Sequence, residues 1–60
     1  MKQCSINGIK VNYIPYGDAL LLLEGIAEIN VTKGLIIPYS SIEYGVFNWH
    51  DKDYPITLDI

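Results

Sequence analysis

Sixty residues with a formal charge of −3, no arginine and a single cysteine exclude a good deal. A chain of this length makes one domain, residues 1–60, and buries only about 60% of the surface that its unfolded form exposes. Domains below about 70–80 residues usually add disulfides, a metal, oligomerisation or unusually dense packing, and Cys4 alone closes the disulfide route.

Half of the residues are hydrophobic, more than so small an interior can hide. Some apolar surface is therefore expected to meet a protein partner, and a homo-oligomer, most simply a dimer, is the expected route to a stable body. Four lysines offer few phosphate contacts, so nucleic acid is not an expected ligand. A lone free thiol suits a reducing compartment, hence the cytoplasm. Lys2, Gln3 and Ser5 interrupt any apolar leader. The longest apolar run, residues 19–23, is far short of the roughly 20 needed to span a bilayer, so no membrane association is expected.

Along the chain, residues 2–6 and 9–14 flank Asn7-Gly8, the strongest short hairpin signal, because both residues tolerate the positive φ of a type I′ turn. Ile9, Val11 and Tyr13 share one face of the second strand, and Lys10 and Asn12 the other. Pro15-Tyr16-Gly17-Asp18 reads as a turn. Residues 19–29 are ambiguous. Asp18 could cap a short helix over 18–24, but Gly25 interrupts it and four consecutive leucines carry no 3.6 period. Strands over 19–23 and 26–32 are the preferred reading, and the Asn30-Val31-Thr32 glycosylation triplet falls among strand residues.

Thr32-Lys33-Gly34 suits a three-residue hairpin loop with glycine left-handed. Leu35-Ile36-Ile37 is a short strand that Pro38 ends or confines to an edge. Tyr39-Ser40-Ser41 turns a corner into a strand where Ile42, Tyr44 and Val46 alternate with Glu43, Gly45 and Phe47, with a bulge at Gly45. Residues 48–53 form a polar loop. In the last strand Ile56, Leu58 and Ile60 share a face, and this strand is either clamped into the sheet or offered as an edge. The expected fold is all-β: a small curved antiparallel meander of five to seven short strands, forming a half-barrel or small barrel. The stretch Ile36-Ile37-Pro38-Tyr39-Ser40-Ser41-Ile42-Glu43 resembles a strand–turn–strand piece of bacterial pleckstrin-homology-like domains. That resemblance implies a barrel capped by a terminal helix, for which this chain offers no segment.

His50-Asp51-Lys52-Asp53 is the one run with catalytic residue types. A metal site needs three or four converging ligands, and these spacings match none, so a solvated turn is expected. Cys4 with His50 could pair as nucleophile and base, but a cysteine in a strand is more simply a small buried hydrophobe. Ser40-Ser41 lacks a G-x-S-x-G context, and the dispersed glycines form no phosphate loop. No enzyme activity, metal or cofactor is expected.

Five tyrosines, one phenylalanine and one tryptophan stand out. Tyrosine and tryptophan bury large areas at interfaces while keeping a polar handle. Tyr39, Tyr44, Trp49 and Tyr54 are the expected partner-binding aromatics, with Glu43, Asp51 and Asp53 steering a basic partner. The expected function is a protein-binding module, an inhibitor or adaptor that masks its partner sterically, similar in size and charge to phage-encoded inhibitors of host enzymes. The alternatives are a small-ligand or metal-binding module around His50, and a self-assembling subunit joined through its last strand.

Overall fold

Asn7 and Gly8 turn the chain back on itself with φ of 54° and 80°, as a type I′ turn requires. They join β1 (Lys2–Ile6) to β2 (Ile9–Tyr16). The computed structural model of the protein describes residues 2–59. It continues with β3 (Ala19–Leu22), a 3-10 turn (Ala27–Ile29), β4 (Ile36–Pro38), helix α1 (Tyr39–Tyr44), β5 (Val46–Trp49) and β6 (Lys52–Leu58). Neighbouring strands are all antiparallel, in the order β4-β3-β2-β1-β6-β5. The result is the expected small curved antiparallel fold, a nearly closed barrel-like sheet.

The pleat sends alternate side chains inward. Cys4 and Ile6 of β1, Val11 and Tyr13 of β2, Leu20 and Leu22 of β3, Ile37, Phe47 and Ile56 are all buried. The register aligns them across strands: Cys4 opposite Val11 and Leu58, Ile6 opposite Ile9 and Ile56, Leu20 opposite Ile37. Burying one large aliphatic side chain contributes about 1.5–3 kcal/mol.

Cys4 is fully enclosed, and burial, assisted by the negative charge of Asp59, pushes its thiol from 9.0 up to about 11. Burial also raises Tyr13, with smaller contributions from Tyr39 and Cys4. Both groups release protons more readily from the unfolded chain. Their stabilising effect is complete below the unfolded value and fades as pH rises toward the folded one. Melting temperature should therefore fall between pH 9 and 11, and Cys4→Val should flatten part of that fall. Native Cys4 should also resist iodoacetamide at neutral pH and react once the chain is unfolded.

Four segments depart from the sequence expectation. Residues 39–44 form α1 instead of a corner and strand. Tyr39 and Ile42, three residues apart on one helical face, pack against the core, which leaves Tyr44 84% exposed. Pro38, extended at φ −62° and ψ 142°, precedes the helix, and Gly45 ends it at φ 79°, its N–H bonding the Ile42 carbonyl at 3.0 Å. Gly45 is thus a left-handed helix cap, not a bulge. The stretch that resembled a strand–turn–strand piece is a strand followed by a helix.

This helix reports the curvature of the sheet. Six residues at 1.5 Å rise span about 9 Å, whereas six flat strands would separate β4 from β5 by about 24 Å. Such a short helix can join the two edges only because the sheet curls.

Residues 26–32 are no strand. Ile26 and Val31 bridge around the 3-10 turn, and Asn30 takes the left-handed φ of 57°. Ile26, Ile29 and Val31 nevertheless all enter the core, and the glycosylation triplet sits on this turn. A Cβ at Gly25 would lie 2.8 Å from the Val31 carbonyl oxygen, so glycine is required by that close approach. Gly34 is left-handed as expected, at φ 90°, yet it closes a longer β3–β4 connection, bonding the Leu22 carbonyl at 2.8 Å.

The expected polar loop over 48–53 is the β5–β6 hairpin, closed by the Trp49–Lys52 pair with only His50 and Asp51 in the turn. Residues 19–22 are strand, not helix, and β2 runs through Pro15 and Tyr16, leaving Gly17-Asp18 as the turn. The final strand, β6, lies between β1 and β5. Its first half, Lys52–Pro55, pairs with β5 and its second half, Ile56–Leu58, with β1, so the strand is clamped into the sheet; Ile60 lies outside the described residues. Pro38 stands on an edge strand, as expected.

Candidate interaction surface

The alternation that fills the core also fixes what faces out. In the second half of β2, and in β3 and β4, the outward residues are apolar too. Ile14 stands opposite Leu21, and Leu21 opposite Ile36; in the next row Tyr16 stands opposite Ala19, and Ala19 opposite Pro38. These six residues alternate with buried Tyr13, Leu20, Leu22 and Ile37, so they share the outer face. Tyr16 is 57% exposed, Ile36 48% and Ile14 41%. Leu23, whose N–H bonds the Asn12 carbonyl at 2.9 Å, extends the same face. None of these residues carries a charge at neutral pH.

Toward β1 and β6 the outer residues turn polar. Gln3, Ser5, Lys10, Thr57 and Asp59 lie there, with Lys10 Nζ 3.5 Å from Asp59 Oδ2. On the β5–β6 hairpin Asn48 Nδ2 donates to Asp53 Oδ1 at 2.9 Å. The sheet exterior is thus divided into an apolar half and a largely polar half, in which exposed Val46 and the facing Pro55 are apolar.

The residues expected to bind a partner are divided between α1 and the β5–β6 hairpin. Tyr39, Trp49 and Tyr54 are half-buried and pack against the core. Glu43 and Tyr44 are exposed on α1, whereas Asp51 and Asp53 are exposed on the hairpin at the far end of β5. Trp49 is structurally committed. Its Nε1–H donates to the Ile29 carbonyl at 2.9 Å, its ring stacks on Phe47 at 5.8 Å, and His50 meets it edge-on at 4.5 Å.

His50 is exposed while the Cys4 thiol is sealed in the core, and Ser40 and Ser41 sit inside α1. Among the described residues no three His, Cys, Asp or Glu side chains are grouped to hold a metal ion. No helix among them is long and apolar enough to cross a membrane.

His50 and Asp51 hold φ of 51° and 63° in the hairpin turn. Non-glycine residues reach this region at a cost of about 1–2 kcal/mol. Asp51→Gly should therefore stabilise the fold by about 0.5–1 kcal/mol, raising the melting temperature by roughly 2–8 °C. A lower melting temperature would show that the Asp51 side chain supports the turn.

Sequence reasoning overlooked the apolar face, although a signal existed. Tyr13-Ile14, Leu20-Leu21-Leu22-Leu23 and Ile36-Ile37 are apolar without alternation, the pattern of strands covered on both sides. No protein-family model matches the chain, and neither does any curated protein or solved structure.

Proposed function

We propose that this chain is a non-enzymatic protein-binding module that docks through the outer face of β2, β3 and β4. One observation carries this reading: two uncharged apolar rows cross three strands on the water side of an antiparallel sheet. A sheet of this kind ordinarily presents polar residues there, and a contiguous apolar patch marks an interaction site. Covering it recovers about 25 cal/mol for each Å² of apolar surface removed from water. Tyr16 is the natural anchor, with a large flat ring and a hydroxyl for the rim.

The mechanism is steric, as for an inhibitor or adaptor: the bound face covers a surface that the partner uses elsewhere. Glu43, Asp51 and Asp53 add a negative field that favours a basic partner on approach. The buried free thiol of Cys4 suits action in a reducing compartment such as the cytoplasm.

A photo-crosslinking residue at Ile36, expressed in cells, should yield a discrete protein adduct, and the same probe at Thr57 on the polar half should not. Adding Ile14→Lys to the Ile36 probe should abolish the adduct while leaving the circular dichroism spectrum unchanged. Equal adducts from both positions, or adducts from Thr57 alone, would remove this face as the docking surface.

A further inference from the structure

We infer that the occupant of the β2–β3–β4 face is a second copy of this chain, related by a two-fold axis that crosses the strands and passes over Leu21. This inference rests on reading the face as a docking surface. An isologous contact requires a patch that complements itself. This patch meets that condition in two ways.

First, it is uncharged. A chain of net charge −3 can press this face against its own copy without bringing carboxylates together across the centre. Second, its two ends differ in charge. Asp18 lies in the turn beyond the Tyr16 and Ala19 row, its carbonyl accepting from the Tyr39 N–H. At the opposite end Lys33 flanks the end of β3, next to Gly34, which bonds Leu22. Glu24 is also at that end, its carboxylate accepting from the Asn12 N–H at 2.9 Å, so the Lys33 end is close to neutral while the Asp18 end is negative.

An axis across the strands inverts their direction and sets Asp18 of each copy toward Lys33 of the other, twice. An axis along the strands would instead oppose Asp18 to Asp18. Charge therefore selects the first arrangement.

The size of the face places the contact in the weak, transient class. Three strands, the two rows and Leu23 beyond them measure, with side-chain reach, on the order of 20 by 20 Å. About 400 Å² per copy is half of the roughly 800 Å² typical of a stable interface. The dimer should accordingly be reversible, half formed at about 10–100 µM.

Sedimentation equilibrium across about 5–500 µM protein tests this. The mass of the wild type should rise from 6.8 kDa toward twice that value, while Ile36→Lys and the milder Ile36→Thr, both folded by circular dichroism, stay monomeric or weaken at least tenfold. Asp18→Lys should weaken association about fivefold, and adding Lys33→Glu should restore it. A wild type that stays monomeric throughout overturns the second-copy occupant, and the Ile36 crosslink to a heavier protein then judges the docking reading separately. A dimer that survives Ile36→Lys overturns the face itself. Failure of the double charge reversal to restore association overturns the two-fold orientation.

Discussion

Ile6→Ala should remove a large share of the protein's folding stability. Ile6 lies on β1, flanked by β2 and β6, opposite Ile9 on one side and Ile56 on the other, and it is fully enclosed. Removing three carbons there forfeits their transfer free energy and leaves a cavity that two paired neighbours cannot collapse into, a cost of about 2–5 kcal/mol. A domain of this size holds roughly 3–9 kcal/mol in all. The melting temperature should drop by about 8–40 °C, since each kcal/mol moves it by about 4–8 °C.

The control is Ile14→Ala, the same substitution on the outer face, where the side chain is 41% exposed. It should cost under about 1 kcal/mol. Equal costs at the two positions would mean that the inward–outward register of β1 and β2 is not as described.

Trp49→Ala should be the most damaging change outside the fully buried set. The indole ties β5 to the distant β3–β4 connection through Ile29 and braces Phe47 from the side. Its loss should cost about 3 kcal/mol, with a fall of some 12–24 °C in melting temperature. Trp49→Phe keeps the stacking but strands the Ile29 carbonyl, and should cost about 1 kcal/mol. Urea titrations of the two variants separate the contributions. A Trp49→Ala protein as stable as the wild type would show that the indole does not brace the fold. Because Trp49 is so committed, loss of partner binding in Trp49→Ala would report a damaged scaffold before it reported a lost contact.

These contrasts show where sequence reasoning reached the fold and where it stopped. Asn7-Gly8 announced its turn because both residues tolerate the positive φ that a type I′ turn demands. Pro38 announced an edge because it has no N–H to donate. The even spacing of Val11 and Tyr13, and of Ile56 and Leu58, named buried or half-buried positions, because alternation on a strand is a local property.

The candidate site was harder to see. Attention to tyrosine, tryptophan and charge led toward α1 and the β5–β6 hairpin. The apolar face is built instead from ordinary aliphatic residues, Ile14, Leu21 and Ile36, that are far apart in the chain. Each is unremarked alone; only the strand register makes them one surface.

By itself, then, the sequence determined an antiparallel β domain, its Asn7-Gly8 turn, its edge proline and most of its core, because turn conformation and side-chain alternation depend on near neighbours. Tertiary structure decided that 39–44 is helical, that 26–32 folds around a 3-10 turn, and which apolar residues remain outside. Ile42 and Tyr44 alternate like strand residues, but Tyr39 and Ile42 reach the core together only in a helix, and a sheet curled to that degree needs a short bridge between its edges. Those outcomes depend on contacts between segments distant in sequence, which local pattern does not encode.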